Sequence, residues 1–354
     1  MSDSFWRGRR VFVTGHTGFK GSWLTLWLLA MGARVTGFAL PPPTRPSLFD
    51  EAEIAAEIRH VEGDVRDSEH LARELEAAEP EVVFHLAAQP IVRTSYREPL
   101  ETLSVNVLGT ASLLDAVRRS PAARAVVVVT SDKCYENREW NLAYHEGSEL
   151  GGHDPYSASK ACAELVTSSF RRSYFETGDG PSPAAATVRA GNVVGGGDWA
   201  DDRIVPDTIR SLTGGPALEL RYPNAIRPWQ LVLEPLSGYL ALAEKLHDEG
   251  PTWAEAWNFA PREEDAKSVG WLVDRLHRAW GSSSRWGETD APQPHEAIYL
   301  KLDATKAAKR LAWRPRLDIE HTVAWVTDWY RRFDGGESAR AITHEQIRRY
   351  QRLA

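Results

Sequence analysis

The segment Tyr156-Ser157-Ala158-Ser159-Lys160 sets a phenol and an ammonium four residues apart, which on a helix puts both on one face. An ammonium beside a phenol favours the phenolate, drawing its pKa from about 10 toward the range where it can take a proton from an alcohol. With ten tyrosines in the chain, that spacing alone says little. Two further segments give it weight. Ser131-Asp132-Lys133 ends the apolar run Ala125–Thr130, joining a hydroxyl that can hold a substrate to an ionisable pair that can supply one acid and one base. Gly15-His16-Thr17-Gly18-Phe19-Lys20-Gly21 lies between the apolar run Arg10–Thr14 and the helical stretch Ser22–Met31. Glycines let the backbone turn tightly and approach a pyrophosphate, whose charge a helix N-terminus stabilises. Lys20 precedes Gly21, so the Gly-Lys-Ser/Thr of a nucleoside-triphosphate loop is absent.

These segments need a frame that brings their ends together. Strands are expected at Arg10–Thr14, Arg34–Ala39, Arg59–Glu62, Val82–Leu86, Ala125–Thr130 and Ala185–Val188, with helical patterns between them. The alternation predicts an α/β fold, a doubly wound parallel sheet of Rossmann type with helices on both faces. Beyond Gly191 the texture changes to Gly-, Pro- and Trp-rich loops around one clear helix, Leu233–Leu246, while the strand-like Ala256–Phe259 returns to the sheet. Two interleaved lobes follow: residues 1–190 with 229–260 as a dinucleotide-binding domain, and 191–228 with 261–334 as a smaller substrate-binding lobe. The break at Gly335–Ser338 sets off a charged helical tail, 335–354, with no assigned role.

Composition removes several classes of function. A net charge of −7 with dispersed Lys and Arg argues against a nucleic-acid surface. The longest apolar stretch, Trp23–Met31, falls well short of the roughly 20 residues that cross a bilayer, and the polar start lacks a signal-peptide pattern. A cytoplasmic protein without membrane contact is expected. Cys134 and Cys162 have neither disulfide-framework nor metal-ligand spacing, so no metal is expected. An anionic ligand must therefore be met by local arginines or by backbone amides.

The Gly-x-x-Gly-x-x-Gly spacing, followed in order by Ser131 and the Tyr156/Lys160 pair, resembles the extended short-chain dehydrogenase/reductase superfamily. The resemblance implies a nicotinamide dinucleotide held by Gly15, Thr17, Gly18, Phe19, Lys20 and Gly21, by Asp64 and Val65 near adenine, by the turn Ala87-Ala88-Gln89, and by Tyr156 and Lys160. For Asp64 a helix N-cap is the competing role. The acidic residue that usually meets the adenosine ribose about 20 positions on is missing from Phe38-Ala39-Leu40-Pro41. With Arg45 nearby, NAD is expected and NADP stays open.

Three further segments are similar to the sugar-nucleotide dehydratases: Thr130-Ser131-Asp132-Lys133-Cys134-Tyr135, Gly152-His153-Asp154-Pro155-Tyr156, and Arg189-Ala190-Gly191-Asn192 with the glycines that follow. Members acting on dTDP-glucose carry Asp-Glu where this chain has Asp132-Lys133. The Asp-Lys pair, the His-Thr-Gly-Phe-Lys-Gly start and Ile226-Arg227-Pro228-Trp229-Gln230 resemble the members acting on CDP-glucose. The resemblance implies a redox-neutral 4,6-dehydration of a nucleotide-linked glucose. Tyr156 would take the C4 hydroxyl proton, Lys133 the C5 proton, and Asp132 would protonate the departing C6 hydroxyl, with Glu136 as the alternative C5 base. Asn192, Arg227 and, less directly, Arg203 would meet the diphosphate. A 4-epimerase or decarboxylase of the superfamily would give Asp132 and Lys133 no task, and a non-enzymatic dinucleotide-binding protein would not need Ser131, Tyr156 and Lys160 intact. A homodimer or higher oligomer, paired through Pro99–Arg118 and Tyr156–Ser173, is the expected assembly.

Overall fold

Seven strands lie side by side, all parallel, in the computed structural model, which describes residues 3–176, 182–289 and 299–353. They are β1 (Arg10–Thr14), β2 (Arg34–Ala39), β3 (Arg59–Glu62), β4 (Val82–His85), β5 (Ala125–Val129), β6 (Ala184–Ala190) and β7 (Ala256–Phe259), in the order β7-β6-β5-β4-β1-β2-β3. The parallel register runs from Arg10 opposite Arg34 at one side to Ala256 opposite Thr187 at the other. The order reverses between β1 and β4, and open sheets of this kind bind ligands outside the strand ends at such a switch point.

Alternation along each strand builds two cores. Val11, Val13, Ala125 and Val127 face one layer, while Phe12, Val126 and Val128 face the other. The first layer contains helices α1 (Phe19–Ala30), Leu233–Glu249, Ile319–Asp334 and Ala339–Gln351, whose Trp23, Trp27, Tyr239, Trp329 and Tyr350 are buried together. The second is covered by α2 (Ser68–Ala78) and α3 (Gly109–Arg118), which contribute Leu71, Leu75, Leu113 and Val117. Helix α4 (Pro155–Phe170) packs beside α3.

Past Gly191 the chain holds more helix than expected: besides α6 (Leu233–Glu249) and the expected helical tail, α9 (Ala339–Gln351), it forms α5 (Ile204–Leu212), α7 (Val269–Trp280) and α8 (Ile319–Asp334). In α7 the apolar face is carried by Leu272, Val273 and Leu276, with Trp and Arg interspersed, so composition hid the helical period. The charged tail is no appendage either. Tyr350 donates to the Glu234 carboxylate at 2.6 Å, and Trp329 Nε1 donates to Thr343 Oγ1 at 3.0 Å. Residues 290–298 of the expected second lobe lie outside the described residues.

Candidate active site

The glycine turn is shaped by close approach rather than by flexibility. Gly15 adopts φ +74°, and a Cβ there would meet Ala87 N at 2.5 Å; a Cβ on Gly21 would meet Gly15 O at 2.1 Å. Gly18 differs, because a Cβ there would touch only Gly15 O at 3.5 Å and otherwise fill open space in the cavity. That space, at the N-terminus of α1, suits a pyrophosphate whose oxygens lie against backbone N–H groups. Thr17 Oγ1 donates to Leu40 O at 2.9 Å, tying the turn to the end of β2.

The strand ends open into one cavity of about 1080 Å³. Its walls include Gly15, Thr17, Gly18, Phe19, Lys20, Gly21, Asp64, Val65, Ala87, Ala88, Ser131, Asp132, Lys133, Tyr156, Lys160, Asn192, Arg203 and Arg227. Thus the C-terminal ends of β1, β3, β4, β5 and β6 bring segments far apart in sequence to one place. Gln89 turns away. Its amide donates to Thr102 Oγ1 at 2.8 Å and its carbonyl oxygen accepts from Ile91 N at 2.6 Å, so it shapes the turn rather than the cavity wall. Asp64 is not an N-cap, since Asp67 caps α2 by accepting from His70 N. Asp64 instead pairs with Arg66, whose guanidinium holds its carboxyl below the usual carboxylate range. Arg45 is exposed and outside the cavity wall.

Ser131 and Asp132 form the floor beside Tyr156. Ser131 Oγ donates to Asp132 Oδ1 at 2.9 Å and accepts from Lys133 N at 3.2 Å. Asp132 Oδ2 is buried without a hydrogen-bond partner. Burial raises the Asp132 carboxyl above its ordinary value, outweighing Lys133, Ser131 and Arg227, which favour the carboxylate. Burial also pushes Tyr156 up to about 12, against Ser131 and Arg203. The expected downward pull of Lys160 is therefore not the dominant influence in the protein alone. Lys160 Nζ donates to Val129 O at 3.3 Å, and burial lowers it to about 8. Lys20 is half-buried at the cavity wall and is lowered to about 7 by burial and by the nearby Arg203 and Lys160, with Asp132 acting in the opposite direction. Lys133 is half-buried at the cavity; Glu136 is exposed, against Gly151, and absent from its wall.

Sequence reasoning missed the groups that hold α4 in place. Glu164, one turn beyond Lys160, is buried and accepts from Arg189 at 2.7 Å, from Thr130 Oγ1 at 2.5 Å and from Thr187 Oγ1 at 2.6 Å. Arg189 continues to the Tyr135 hydroxyl at 2.7 Å. Tyr156, Lys160 and Glu164 recur at i, i+4, i+8, a stripe the sequence does display. Removing one partner of such a buried pair leaves an uncompensated charge and typically costs about 3–5 kcal/mol. Glu164→Ala is thus expected to lower the unfolding free energy by about that amount in urea titration; a loss below about 1 kcal/mol would show that the pair is not needed. Asn106, buried and polar in an apolar helical run, donates to Ser159 Oγ at 2.8 Å and accepts from Gln89 N at 2.8 Å, joining α4 to the turn after β4. His16 is also buried. Its Nε2 lies 2.7 Å from His60 Nδ1, and burial and His60 lower it to about 3, so it is neutral. A Cβ on Gly37 would strike the His16 ring at 2.5 Å, which explains the small residue in β2.

Comparison with known proteins agrees with this geometry. The family model described as GDP-mannose 4,6 dehydratase matches residues 12–178. A CDP-glucose 4,6-dehydratase of Salmonella typhimurium is 49% identical over 352 residues, covering 99% of this chain and 98% of that protein. A dTDP-glucose 4,6-dehydratase of Xanthomonas campestris is 27% identical, over 90% and 92% of the two chains. Among solved structures, the dTDP-glucose 4,6-dehydratase of Streptomyces venezuelae with NAD and TYD bound superposes with a TM-score of 0.79 at 25% identity, covering 92% of this chain and 98% of its own. Near-complete coverage at 49% identity, on a sheet whose strand ends gather Ser131, Asp132, Lys133, Tyr156 and Lys160, places this chain in the sugar-nucleotide 4,6-dehydratase family, whose members work with NAD.

Proposed function

We propose that the protein converts CDP-glucose to the 4-keto-6-deoxy sugar nucleotide. The observation carrying this reading is the meeting of an acid–base pair, Asp132 and Lys133, with Ser131, Tyr156 and Lys160 in the one cavity that also contains the glycine turn. NAD, held along Gly15–Gly21, would supply the hydride acceptor at C4 and the hydride donor at C6. Tyr156 takes the proton of the C4 hydroxyl, which Ser131 orients. Oxidation at C4 makes the C5 hydrogen acidic, so a weak base suffices, and Lys133 removes it. Asp132 protonates the C6 hydroxyl as water leaves, a task its burial supports by keeping the carboxyl protonated to higher pH. Glu136 is the weaker candidate for the C5 base because its side chain is outside the cavity wall. Asn192, Arg203 and Arg227 form a cationic and polar wall for the diphosphate, and arginine's planar fork matches phosphate oxygens. Tyr96, Arg221 and Tyr222, which no motif marked, line the same cavity. Incubation with CDP-, dTDP-, UDP- and GDP-glucose in separate reactions tests the substrate: CDP-glucose is expected to give the highest kcat/KM, and preference for another base would reject it.

Helices Pro99–Leu103 and α4 expose Leu100 and Leu165, with Leu108 exposed between α3 and Pro99–Leu103, which supports pairing of two copies across these helices. Among the described residues no helix is long and apolar enough to cross a membrane. The free thiols Cys134 and Cys162 agree with a cytoplasmic setting.

Lys20 predicts a pH dependence of binding. Lys20, at about 7, faces Arg203, Lys160 and Asp132, and is only partly charged near neutrality. A bound diphosphate raises its pKa, so binding takes up a proton above pH 7 and affinity falls as pH rises. Linkage limits the fall to about tenfold per pH unit for one proton. Calorimetric titration of NAD into the cofactor-free protein in buffers of different ionisation enthalpy should show this uptake between pH 7 and 8.5; no uptake would exclude Lys20 from the dinucleotide's pyrophosphate site.

A further inference from the structure

Given the roles proposed above, on which this inference rests, two pairs of residues must face one sugar at a fixed separation. Tyr156 and Lys160, which serve oxidation at C4, are carried by α4. Asp132 and Lys133, which serve loss of water across C5 and C6, are carried by the turn that follows β5. A helix and a turn that reach the cavity by separate routes need something that fixes one against the other, because an error of about 1 Å in the placement of reacting groups can cost about 10²-fold in rate.

One buried ion pair reaches both. Glu164, on α4 one turn beyond Lys160, accepts from Arg189 Nε at 2.8 Å and from Arg189 Nη2 at 2.7 Å. The same carboxylate accepts at 2.5 Å from the hydroxyl of Thr130, the residue just before Ser131. On the other side, Arg189 Nη1 donates to the Tyr135 hydroxyl at 2.7 Å, and that hydroxyl donates to Asn258 Oδ1 on β7 at 2.8 Å. Asn258 is itself held, its Nδ2 donating to Tyr144 O at 2.9 Å and to Asp303 O at 3.1 Å. Thr130 and Tyr135 therefore bracket the turn Ser131–Cys134, one end tied to the carboxylate and the other to the guanidinium of a single pair. The turn between them is closed by Lys133 N donating to Ser131 Oγ at 3.2 Å and Cys134 N to Ser131 O at 3.3 Å. Gly151 N donates to Cys134 O and Glu136 N to Glu149 O, each at 3.0 Å, but these bonds join the turn to a neighbouring loop. Tyr135 carries the tie to the sheet.

Tyr135, Glu164, Arg189 and Asn258 are buried and absent from the cavity wall, so they act on the substrate through other residues. A buried ion pair adds little stability that apolar packing of the same volume would not, so stability alone does not account for this one. We infer that Thr130 and Tyr135 are positioning residues, which clamp the two ends of the Ser131–Cys134 turn to the Glu164–Arg189 pair and so set Asp132 and Lys133 against Tyr156 and Lys160. Thr130 holds the Ser131 end, where C4 is oxidised, and Tyr135 holds the end that carries Lys133. Burial raises the Tyr135 phenol, which stays protonated and keeps both its hydrogen bonds through the reaction.

The two ends of the clamp are separable by experiment. Tyr135→Phe removes the hydroxyl and keeps the ring, which stacks on Tyr144 with centroids 5.2 Å apart. In a single turnover of NAD-loaded protein with CDP-glucose, NADH absorbance rises as C4 is oxidised and falls as hydride returns to C6. In Tyr135→Phe the rise is expected to stay within about threefold of the unaltered rate while the fall slows by about 10- to 10²-fold, so NADH accumulates before water is lost. Thr130→Val, which cuts the other end, should slow the rise itself by about tenfold or more, and Thr130→Ser, which keeps the hydroxyl, should restore it. Leu75→Ala, in the buried face of α2 and outside this network, measures general loosening: it should lower resistance to urea without changing the ratio of the two phases. Equal slowing of rise and fall in Tyr135→Phe, an unaltered fall, or the same selective slowing in Leu75→Ala would overturn the inference. Should Tyr135→Phe not fold, the Thr130 pair decides, and an unaltered rise in Thr130→Val overturns the clamp. Turnover of CDP-glucose by the unaltered protein reports on the proposed function separately: absence of the 4-keto-6-deoxy product there rejects that reading, whereas product there with both phases slowed alike in Tyr135→Phe rejects only the clamp.

Discussion

Replacing Tyr156 with phenylalanine is expected to lower kcat by about 10²- to 10⁴-fold, the usual contribution of a positioned general base, while leaving nucleotide-sugar affinity largely unchanged. The ring of Tyr156 is buried at the mouth of α4 and the substitution keeps it, so packing survives. What is lost is the phenolic hydroxyl, the group proposed to receive the C4 proton in the cavity that Ser131 also lines. Burial holds this phenol at about 12 even with Arg203 acting against it, so further positive charge must be supplied for it to act as a base. The alkali absorbance of the 4-keto-6-deoxy product measures turnover, and equilibrium dialysis measures binding. An unchanged kcat would remove Tyr156 from the mechanism.

Lys133→Met separates the chemical steps. Oxidation at C4 depends on Tyr156 and Ser131 and should persist, whereas exchange of the C5 hydrogen with solvent deuterium and loss of water should each fall by about 10²- to 10⁴-fold. Methionine preserves much of the length of the lysine stem, so the change is chiefly one of proton affinity. Glu136→Gln should leave exchange intact, because Glu136 is exposed against Gly151. Should Lys133→Met exchange C5 at the unaltered rate while Glu136→Gln does not, Glu136 is the base.

Much of this arrangement is legible in the residues because it depends on local rules. β1, β2, β3 and β7 fall at the expected bounds, and the ends of β4, β5 and β6 shift by only one or two residues. Parallel pairing then delivers Gly15, Ala87, Ser131 and Gly191 to one edge without further information. The parts that stayed hidden depend on contacts across the chain. Gln89 reads like a cavity residue by position, but its amide is taken by Thr102, thirteen residues away. Asp64 is drawn to Arg66 instead of to a helix end. The helices of the 191–353 region are held by Trp and Tyr side chains that meet residues over a hundred positions distant, as Trp23 does with Gly196 O and Tyr350 with Glu234. The glycines at 195–197 show the same dependence, since a Cβ on Gly196 would fall 2.0 Å from the Trp329 ring.

The effect of burial is likewise invisible in spacing. Four residues between Tyr156 and Lys160 predict attraction between phenolate and ammonium, but a group stripped of water resists charge whatever its neighbour. In this cavity that resistance raises Tyr156 and Asp132 and lowers Lys20 and Lys160, moving all four toward their neutral forms. Such a site gains its charge pattern from bound ligands as well as from its own residues.

The central claim is that hydrogen removed from C4 returns to C6 of the same sugar. CDP-glucose deuterated at C4, turned over in ordinary water and analysed by NMR, tests it most directly. The account predicts a 4-keto-6-deoxy product carrying the C4 deuterium at C6, with solvent hydrogen at C5 and no net accumulation of NADH. Deuterium retained at C4 of an epimer, or NADH accumulating in step with product, would contradict it.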